Sequence, residues 1–467
     1  MQITVYGYIF IPLLFALLVL RPKYLIYVLI FSLTLQVTSI FNVGDYSMQI
    51  YRFITLLLSI RFLIYLFMNR VSIRLKHKEF KNVIIYGSLF TVFVILWSYL
   101  APIIFSGYPV YPPDLSIDYS ALFGPSPLHF SIYNIAMNAY VLLYFLSLVY
   151  ISILSWTIKD LFIVRWVIFF SFCLVILTSV SQSLNYLFGT VDFTQYIYTV
   201  TTRALHYDLI GSFLPIPRIQ ATYFEPSNLA PFLIALYAYY LYSLFTRFKF
   251  INILFCLLFF IMILLSASTT AYLSLLVVTF LVLLYVNPVK ISKLGIRIKK
   301  NVLFLLFGLF LLFLIILVVI YFTIGFQIFN DLVNVYLVYK SSTRSFLYRT
   351  TADLYALHLF LNTFGLGVGL GSNRPSSLIP YLLSQLGILG TILFIIFMFK
   401  LIQFCYQTLK DTEYFAFFFL IPSVLLTQII AYPDITNPTL WQFIYVSLLA
   451  CFAIRNNTYQ PVTLLKR

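Results

Sequence analysis

The sequence INILFCLLFFIMILLSASTTAYLSLLVVTFLVLLYV at residues 251–286 contains no charged side chain, and only one short polar turn interrupts it. An apolar run of about 20 residues crosses the roughly 30 Å hydrocarbon core of a membrane as a helix. A helix also satisfies its own backbone hydrogen bonds where no water is present. This stretch therefore predicts two membrane-spanning helices, at 251–267 and 270–286.

The same apolar pattern runs through the rest of the chain. Of its 467 residues, 62% are hydrophobic and only 9% are charged, and the mean hydropathy is +1.01. These values are too apolar for one soluble core, so we predict an all-α polytopic membrane protein with about thirteen transmembrane helices. The predicted spans are 3–20, 24–41, 50–68, 83–105, 130–154, 162–182, 228–246, 251–267, 270–286, 302–327, 376–399, 414–432 and 440–454.

Lysine and arginine are distributed unevenly between the predicted loops. About two thirds of the 29 basic residues fall on one side of the spans, which is the cytoplasmic side by the positive-inside rule. The N-terminus is then external and the C-terminus internal. The net charge of +16 reflects this topology and contact with anionic membrane lipids, so we expect no nucleic-acid partner. Arg21 follows the first span, and no cleavage site of small residues does. We therefore expect this span to stay in the mature protein.

Two long external loops divide the chain. The predicted regions are N-terminal helices at 1–182, a first large loop at 183–227, central helices at 228–327, a second large loop at 328–375 and C-terminal helices at 376–467. Loops of this length are uncommon unless they are functional. The basic residues that the topology places outside are Arg203, Arg218, Lys340, Arg344, Arg349 and Arg374. The external acids are Asp45, Asp114, Asp118, Asp192, Asp208, Glu225, Asp331, Asp353 and Asp434.

The external arginines require a local explanation, because the positive-inside rule should deplete them there. A guanidinium group is planar, stays charged and binds phosphate oxygens in bidentate fashion. We therefore expect a binding site for a diphosphate at the membrane surface. Structural ion pairs are the alternative, as Arg349 and Asp353 would form at positions i and i+4 of a helix.

The second large loop contains a predicted helix at 341–362. Arg344 and Arg349 lie about 140° apart around this helix, so they do not share one face. His358 on the same helix is either a proton acceptor or a packed interface residue. Alternating glycines follow, and they allow the backbone to pass close to a ligand or a neighbouring helix. A flexible lead into the next span is the other interpretation of these glycines, Gly365, Gly367, Gly369 and Gly371.

Arg61 lies inside the predicted span 50–68, nine residues before Arg70 and about 13 Å from the cytoplasmic boundary at 1.5 Å per residue. This depth exceeds simple snorkelling, so the side chain should face protein or a water-filled cavity. The cysteines lack metal-ligand spacing and lie in spans or at their cytoplasmic edge, so we expect neither disulfides nor a metal site. They are Cys173, Cys256, Cys405 and Cys451.

Two segments resemble the signatures of the O-antigen polymerase and O-antigen ligase superfamily of bacterial membrane glycosyltransferases. In the first, from Arg218 to Ala230, an arginine is followed by FEPSNLA at the start of a span. In the second, from Arg344 to Gly390, an arginine-led helix runs into GLGVGLG and then YLLSQLGILG. The resemblance implies a GT-C-like fold and a metal-independent glycosyltransferase with no cofactor. Such an enzyme acts on undecaprenyl-diphosphate-linked oligosaccharide at the external face of the bacterial inner membrane.

The resemblance also implies roles for individual residues. Arg218 and Arg344 would hold the diphosphate, and Glu225 or Asp353 would take the proton from the attacking sugar hydroxyl. Further candidate substrate contacts are Arg349, Arg374, Arg203, Arg61, Tyr223 and His358.

Three functions follow from this resemblance and the charge pattern. Ligases of this superfamily carry a histidine just ahead of a Tyr-Leu pair, and the residues before Tyr381 and Leu382 include none, so a polymerase is favoured over a ligase. A chain-length regulator is a candidate partner of such a polymerase. The alternative from a different class is a flippase or transporter for an anionic lipid-linked substrate, although transporters usually carry charge on broken helices near the membrane midplane.

Overall fold

The computed structural model describes residues 1–44, 46–69, 77–113, 124–201, 218–286, 289–292, 295–298 and 344–458. Most of this part of the chain is helical. Its α-helices are α1 Val5–Leu20, α2 Pro22–Ser32, α3 Ile50–Met68, α4 Lys81–Ile104, α5 Ile132–Ile153, α6 Ile158–Phe188, α7 Phe193–Ile197, α8 Pro226–Thr246, α9 Phe250–Leu265, α10 Thr269–Val286, α11 Arg344–Asn362, α12 Leu378–Leu409, α13 Leu420–Ile430 and α14 Pro438–Thr458. Two 3₁₀ segments, Lys78–Phe80 and Phe415–Phe419, lead into α4 and α13.

Eight helices of the described part are long and apolar enough to cross a membrane: α3, α4 with its 3₁₀ lead, α5, α6, α8, α10, α12 and α14. Shorter apolar helices are α1, α2, α9 and the segment Phe415–Ile430. The chain is thus an all-α polytopic membrane protein, as its composition predicts. The predicted span 302–327 lies outside the described residues.

The predicted span 24–41 is wrong in its second half. Helix α2 ends at Ser32, and an antiparallel three-stranded sheet follows in place of the expected helix. Every second residue between them is polar and buried, namely Thr34, Gln36 and Thr38. These side chains bond to other segments; Gln36 donates through Nε2 to Thr439 Oγ1 at 3.2 Å. Such side chains favour contact with protein over contact with lipid. The strands are β1 Gln2–Ile3, β2 Ser39–Val43 and β3 Tyr46–Gln49, with the hairpins β4 Pro109–Val110 and β5 Ser126–Pro127, and β6 Val289–Ser292 and β7 Gly295–Ile298.

Helices α8 and α14 form the interior of the bundle. The most apolar window of α14 is 94% buried and that of α8 is 72% buried, which is more than for the other candidate spans of the described part. Helix α14 packs against α2, α5, α6, α8, α12 and α13. One such contact is a stack between the rings of Trp441 and Tyr144, whose centroids are 5.2 Å apart. The remaining spans surround these two helices.

Several loops and helix starts meet at one end of the bundle, which we call the polar end. The Thr222 hydroxyl donates to the carbonyl oxygen of Thr34 at 2.7 Å, and Gln442 donates to the Thr34 hydroxyl at 2.9 Å. The start of α12 joins them, because the Tyr432 amide donates to the Ser376 carbonyl at 3.1 Å. The sequence-based topology assigns this end to the exterior.

Ion pairs are found at the other end, which we call the basic end. Lys23 pairs with Asp160 at 2.5 Å, Arg247 with Glu413 at 2.6 Å and Arg455 with Glu79 at 2.6 Å. These residues lie at or next to the ends of α2, α4, α6, α8 and α14 that are remote from the polar end. The two ends therefore differ in chemistry: the basic end holds paired charges, and the polar end holds hydrogen-bonded loops.

The alternating glycines pass directly against α12 at a point where that helix is broken. Gly387 has φ 63° and ψ −170°, which is not helical. A Cβ atom on Gly387 would lie 2.3 Å from the Leu366 carbonyl oxygen, so only glycine fits this contact. Close approach to a neighbouring helix is therefore the correct interpretation of these glycines. Three backbone hydrogen bonds fill the break: Val368 N to Ser384 O at 2.8 Å, Gly369 N to Gln385 O at 2.8 Å and Ile388 N to Gly365 O at 2.9 Å.

Candidate functional site at the polar end

The stretch from Arg218 to Glu225 is anchored to α6 by one buried side chain. Gln182 accepts the Ala221 amide at 3.2 Å through Oε1 and donates to the Ala221 carbonyl at 3.1 Å through Nε2. Arg218 donates through Nε to the carbonyl oxygen of Ser266, in the turn between α9 and α10, at 3.4 Å. These contacts hold the half-buried Arg218 at the polar end.

Glu225 is the N-cap residue of α8. Its Oε2 accepts a hydrogen bond from the Ser227 hydroxyl at 3.2 Å. A helix N-terminus stabilises the charged form of a nearby carboxylate, so this position favours an anion over a strong base. Tyr223 is fully buried, and its ring packs 6.0 Å from that of Phe232. It therefore lies in the protein interior, away from the surface where a sugar would stack.

Asp353 on α11 binds the segment that leads into α12. Its Oδ1 accepts the amides of Ser376 and Ser377 at 2.6 and 3.0 Å, and its Oδ2 accepts the Ser377 hydroxyl at 2.7 Å. Both carboxylate oxygens are thus used to hold α11 against the start of α12. Of the ion pairs between described residues, none joins Arg349 to Asp353. The predicted i,i+4 pair is wrong, because Asp353 caps another segment instead.

The other candidates on α11 differ in exposure. Arg349 is half-buried and lies one turn before Asp353, on the helix face that meets the start of α12. Within the described part of the chain its guanidinium group forms no ion pair. His358 is exposed, so it is not a packed interface residue. Arg344 is the first residue of α11, and Arg203 lies outside the described residues.

Three charged residues from distant parts of the sequence lie at the polar end, with Arg52 and Arg374 both within electrostatic range of Asp434. Arg52 is in the first turn of α3, Arg374 precedes α12, and Asp434 lies in the loop between α13 and α14. Both guanidinium groups act electrostatically on the Asp434 carboxylate. Each of the three residues is half-buried. We call this group the charged cluster.

Sequence reasoning missed Arg52, because it treated the whole of 50–68 as a lipid-embedded span. In the structure the Arg52 guanidinium carbon lies 3.9 Å from the centroid of the Tyr140 ring and 5.7 Å from that of Tyr51. These are cation–π contacts, which fix the position of the guanidinium group and leave its positive charge in place. Among the described residues Arg52 forms no ion pair. Its position in the first turn of a span entered from outside is the signal that could have identified it.

Asp434 is held rigidly by its own loop. Its Oδ1 accepts the Thr436 amide and the Thr436 hydroxyl, both at 2.7 Å, which is an Asx-turn. Gln428 fixes the backbone by donating to the Asp434 carbonyl oxygen at 2.9 Å. Burial raises the pKa of the Asp434 carboxyl above its usual value, although the Thr436 bonds and the two arginines act in the opposite direction.

Unusual backbone conformations lie next to these charged residues. Among described residues other than glycine, five have positive φ. Three of them flank the site: Ala221 at 52°, Ala267 at 44° and Tyr432 at 65°. A left-handed conformation costs energy for such residues and persists only where the surroundings impose it. The backbone around Arg218 and Asp434 is therefore held in place by its contacts.

The Arg218 segment and the charged cluster are neighbours. The buried Tyr223 hydroxyl lies within electrostatic range of Tyr432, two residues before Asp434. Arg61 is not part of this arrangement. It lies within electrostatic range of the Tyr150 hydroxyl of α5, about 13 Å along α3 from Arg52 at 1.5 Å per residue. The expectation that Arg61 faces protein or a water-filled cavity stays a prediction.

A cavity of about 530 Å³ opens between the loop after α4 and the end of α11. Its lining residues are uncharged, and they are Gly107, Tyr108, Pro109, Leu361, Asn362 and Phe364. The candidate arginines lie outside this cavity. The described residues also contain no group of three His, Cys, Asp or Glu side chains placed to hold a metal ion.

Comparison with known proteins gives no match, so a function can be assigned only from the residues described above. The chain matches no protein-family model, and no curated protein is significantly similar to it.

Proposed function

We propose that the chain is a polysaccharide polymerase. It transfers a growing glycan from undecaprenyl diphosphate to a new lipid-linked repeat unit at the external face of the bacterial inner membrane. The observation that supports this proposal most strongly is the group of arginines from separate parts of the sequence at the polar end. Within the described residues, Arg52 and Arg349 form no ion pair. Arg218 and Arg374 each donate to a backbone carbonyl oxygen at the same end of the bundle.

This charge suits a diphosphate leaving group. When the bond from the sugar to the diphosphate breaks, negative charge accumulates on phosphate oxygens, and cations already in position stabilise it. Arginine offers paired donors that match phosphate geometry. In this proposal Arg218, Arg344, Arg349 and Arg374 bind the diphosphate, and a carboxylate at the polar end accepts the proton of the attacking hydroxyl.

One observation favours a second candidate function, a transporter for an anionic lipid-linked substrate. Helix α12 is discontinuous at Gly387, and broken helices are common at transporter binding sites. In such sites the exposed backbone ends usually bind substrate or an ion. Here the ends bond to the glycine run and are already satisfied, so the break supports packing between α12 and its preceding loop.

Reconstitution distinguishes the two functions and the ligase alternative. Protein in liposomes, supplied only with an undecaprenyl-diphosphate oligosaccharide, should form a ladder of longer lipid-linked glycans and release undecaprenyl diphosphate. The ladder should form without a nucleotide sugar and in the presence of EDTA. A ligase would require a different acceptor, and a transporter would move the substrate across the bilayer unchanged. Elongation that stops on addition of EDTA would contradict the metal-independent mechanism.

A further inference from the structure

We propose that Asp434, which Thr436 holds in place at the polar end, is the general base of the transfer reaction. The inference rests on the proposed function and identifies the group that accepts the proton. The attacking hydroxyl oxygen of the acceptor sugar forms a bond to the anomeric carbon of the donor. The bond from that carbon to the diphosphate oxygen breaks, and the electron pair leaves with the diphosphate. The hydroxyl proton passes to the Asp434 carboxylate.

The geometry of the Asp434 carboxylate suits this role. Thr436 occupies only Oδ1, through two bonds of 2.7 Å. No described residue donates a hydrogen bond to Oδ2, and Asp434 is not fully buried. One oxygen is therefore fixed by the protein while the other is open to a hydroxyl, which is what a positioned base requires.

The two carboxylates suggested by the sequence are less suitable. Asp353 uses both oxygens to hold Ser376 and Ser377. Glu225 lies at the N-cap position of α8, where its Oε2 accepts a bond from the Ser227 hydroxyl, and the helix dipole there stabilises a carboxylate. Both carboxylates therefore hold neighbouring segments in place, and protonation would weaken those hydrogen bonds.

The electrostatic surroundings place Asp434 next to the predicted leaving group. Arg52 and Arg374 both act electrostatically on the carboxylate. The Tyr432 amide donates to the Ser376 carbonyl at 3.1 Å, which joins the Asp434 loop to the segment of Arg374, so a diphosphate bound by Arg374 would lie near Asp434. The titratable and charged groups that face Asp434 are Tyr51 and Arg52 of α3, Tyr144 of α5, Arg374 ahead of α12 and Tyr381 of α12. Because burial outweighs the arginines and raises the Asp434 pKa, the carboxylate is a better proton acceptor than a solvated aspartate.

The test measures elongation and substrate binding in parallel for four single variants. Asp434→Asn should lose about 10²–10⁴-fold in turnover and still bind the lipid-linked repeat unit. Its Oδ1 can still accept both Thr436 bonds, so the loop should remain intact. Asp353→Asn and Glu225→Gln should retain more turnover than Asp434→Asn. Glu413→Gln, at the basic end, is the matched control and should behave like the wild type.

The pH profile separates a base from a structural residue. Wild-type turnover should fall on acidification with a midpoint above the ordinary aspartate value of about 3.9, because protonated Asp434 cannot accept the proton. Residual turnover of Asp434→Asn should lack this decline. Asp434→Glu restores a carboxylate, so it should recover part of the activity together with the acidic decline, even if Asp434→Asn fails to accumulate.

The outcomes distinguish this inference from the proposed function. If the wild type forms no ladder, the polymerase proposal fails and the base assignment fails with it. If the wild type forms a ladder and Asp434→Asn forms one at the same rate, the base assignment alone is overturned. It is also overturned if the acidic decline is lost in Glu225→Gln or Asp353→Asn and kept in Asp434→Asn.

Discussion

Replacement of Arg374 by alanine is expected to reduce glycan elongation by about 10²-fold or more, which is the usual effect of removing one donor to a developing anion. Arg374 precedes α12, acts electrostatically on Asp434 and donates through Nη1 to the Pro113 carbonyl at 3.4 Å. Alanine removes the guanidinium group that we assign to the diphosphate. Elongation by reconstituted protein measures the effect directly.

Two further variants identify the cause of that loss. Arg374→Lys should restore only part of the activity, because an ammonium group lacks the bidentate geometry of arginine. Arg247→Ala removes an exposed arginine at the basic end that pairs with Glu413, so it should elongate like the wild type. Full activity of Arg374→Ala at normal protein levels would rule out the diphosphate site. An equal loss in Arg247→Ala would indicate a general effect of lost charge.

Gly387→Ala is expected to lower the free energy of unfolding by roughly 3–5 kcal/mol, at the upper end for single substitutions. A Cβ at this position would lie 2.3 Å from the Leu366 carbonyl oxygen. The glycine run would have to move away from α12, and the backbone hydrogen bonds that fill the break would be lost. Thermal unfolding in detergent, followed by size-exclusion chromatography, measures the change.

The control for this substitution isolates the close contact from the backbone conformation. Gly189 ends α6 with φ 66°, close to the value of 63° at Gly387, and nothing lies within 4 Å of its Cβ position. Gly189→Ala should therefore lower the free energy of unfolding only by the cost of a left-handed backbone, about 1–2 kcal/mol. Equal destabilisation of both variants would show that the glycine run does not press against α12.

The spans were predictable because membrane insertion depends on long apolar runs, which a sequence displays directly. The helix at Arg344–Asn362 was predictable for a similar reason, since the sequence pattern of a helix is local. The break in α12 was not predictable, because it depends on contacts between Gly387 and a loop about twenty residues earlier. Likewise, Gln36 hydrogen bonds to a residue near the other end of the chain, and such a contact leaves no local signal.

The candidate site was predictable only in part. The sequence identified Arg218 and Arg374 from their external loops. Its alternative interpretation paired Asp353 with Arg349, because helix spacing alone does not show what else lies within reach. Arg52 was hidden inside an apolar run. Asp434 was one of several external acids, and its importance follows from its place beside two arginines that are about 380 and 60 residues away in sequence. Contacts between distant segments define this site.

The most direct test of the account is the structure of the protein in lipid nanodiscs with a non-transferable undecaprenyl-diphosphate oligosaccharide bound, determined by electron cryomicroscopy. We predict diphosphate density at the polar end, in contact with Arg374 and Arg218, with the first sugar facing the carboxylate of Asp434. Diphosphate density at the basic end, or between spans away from these arginines, would contradict the account.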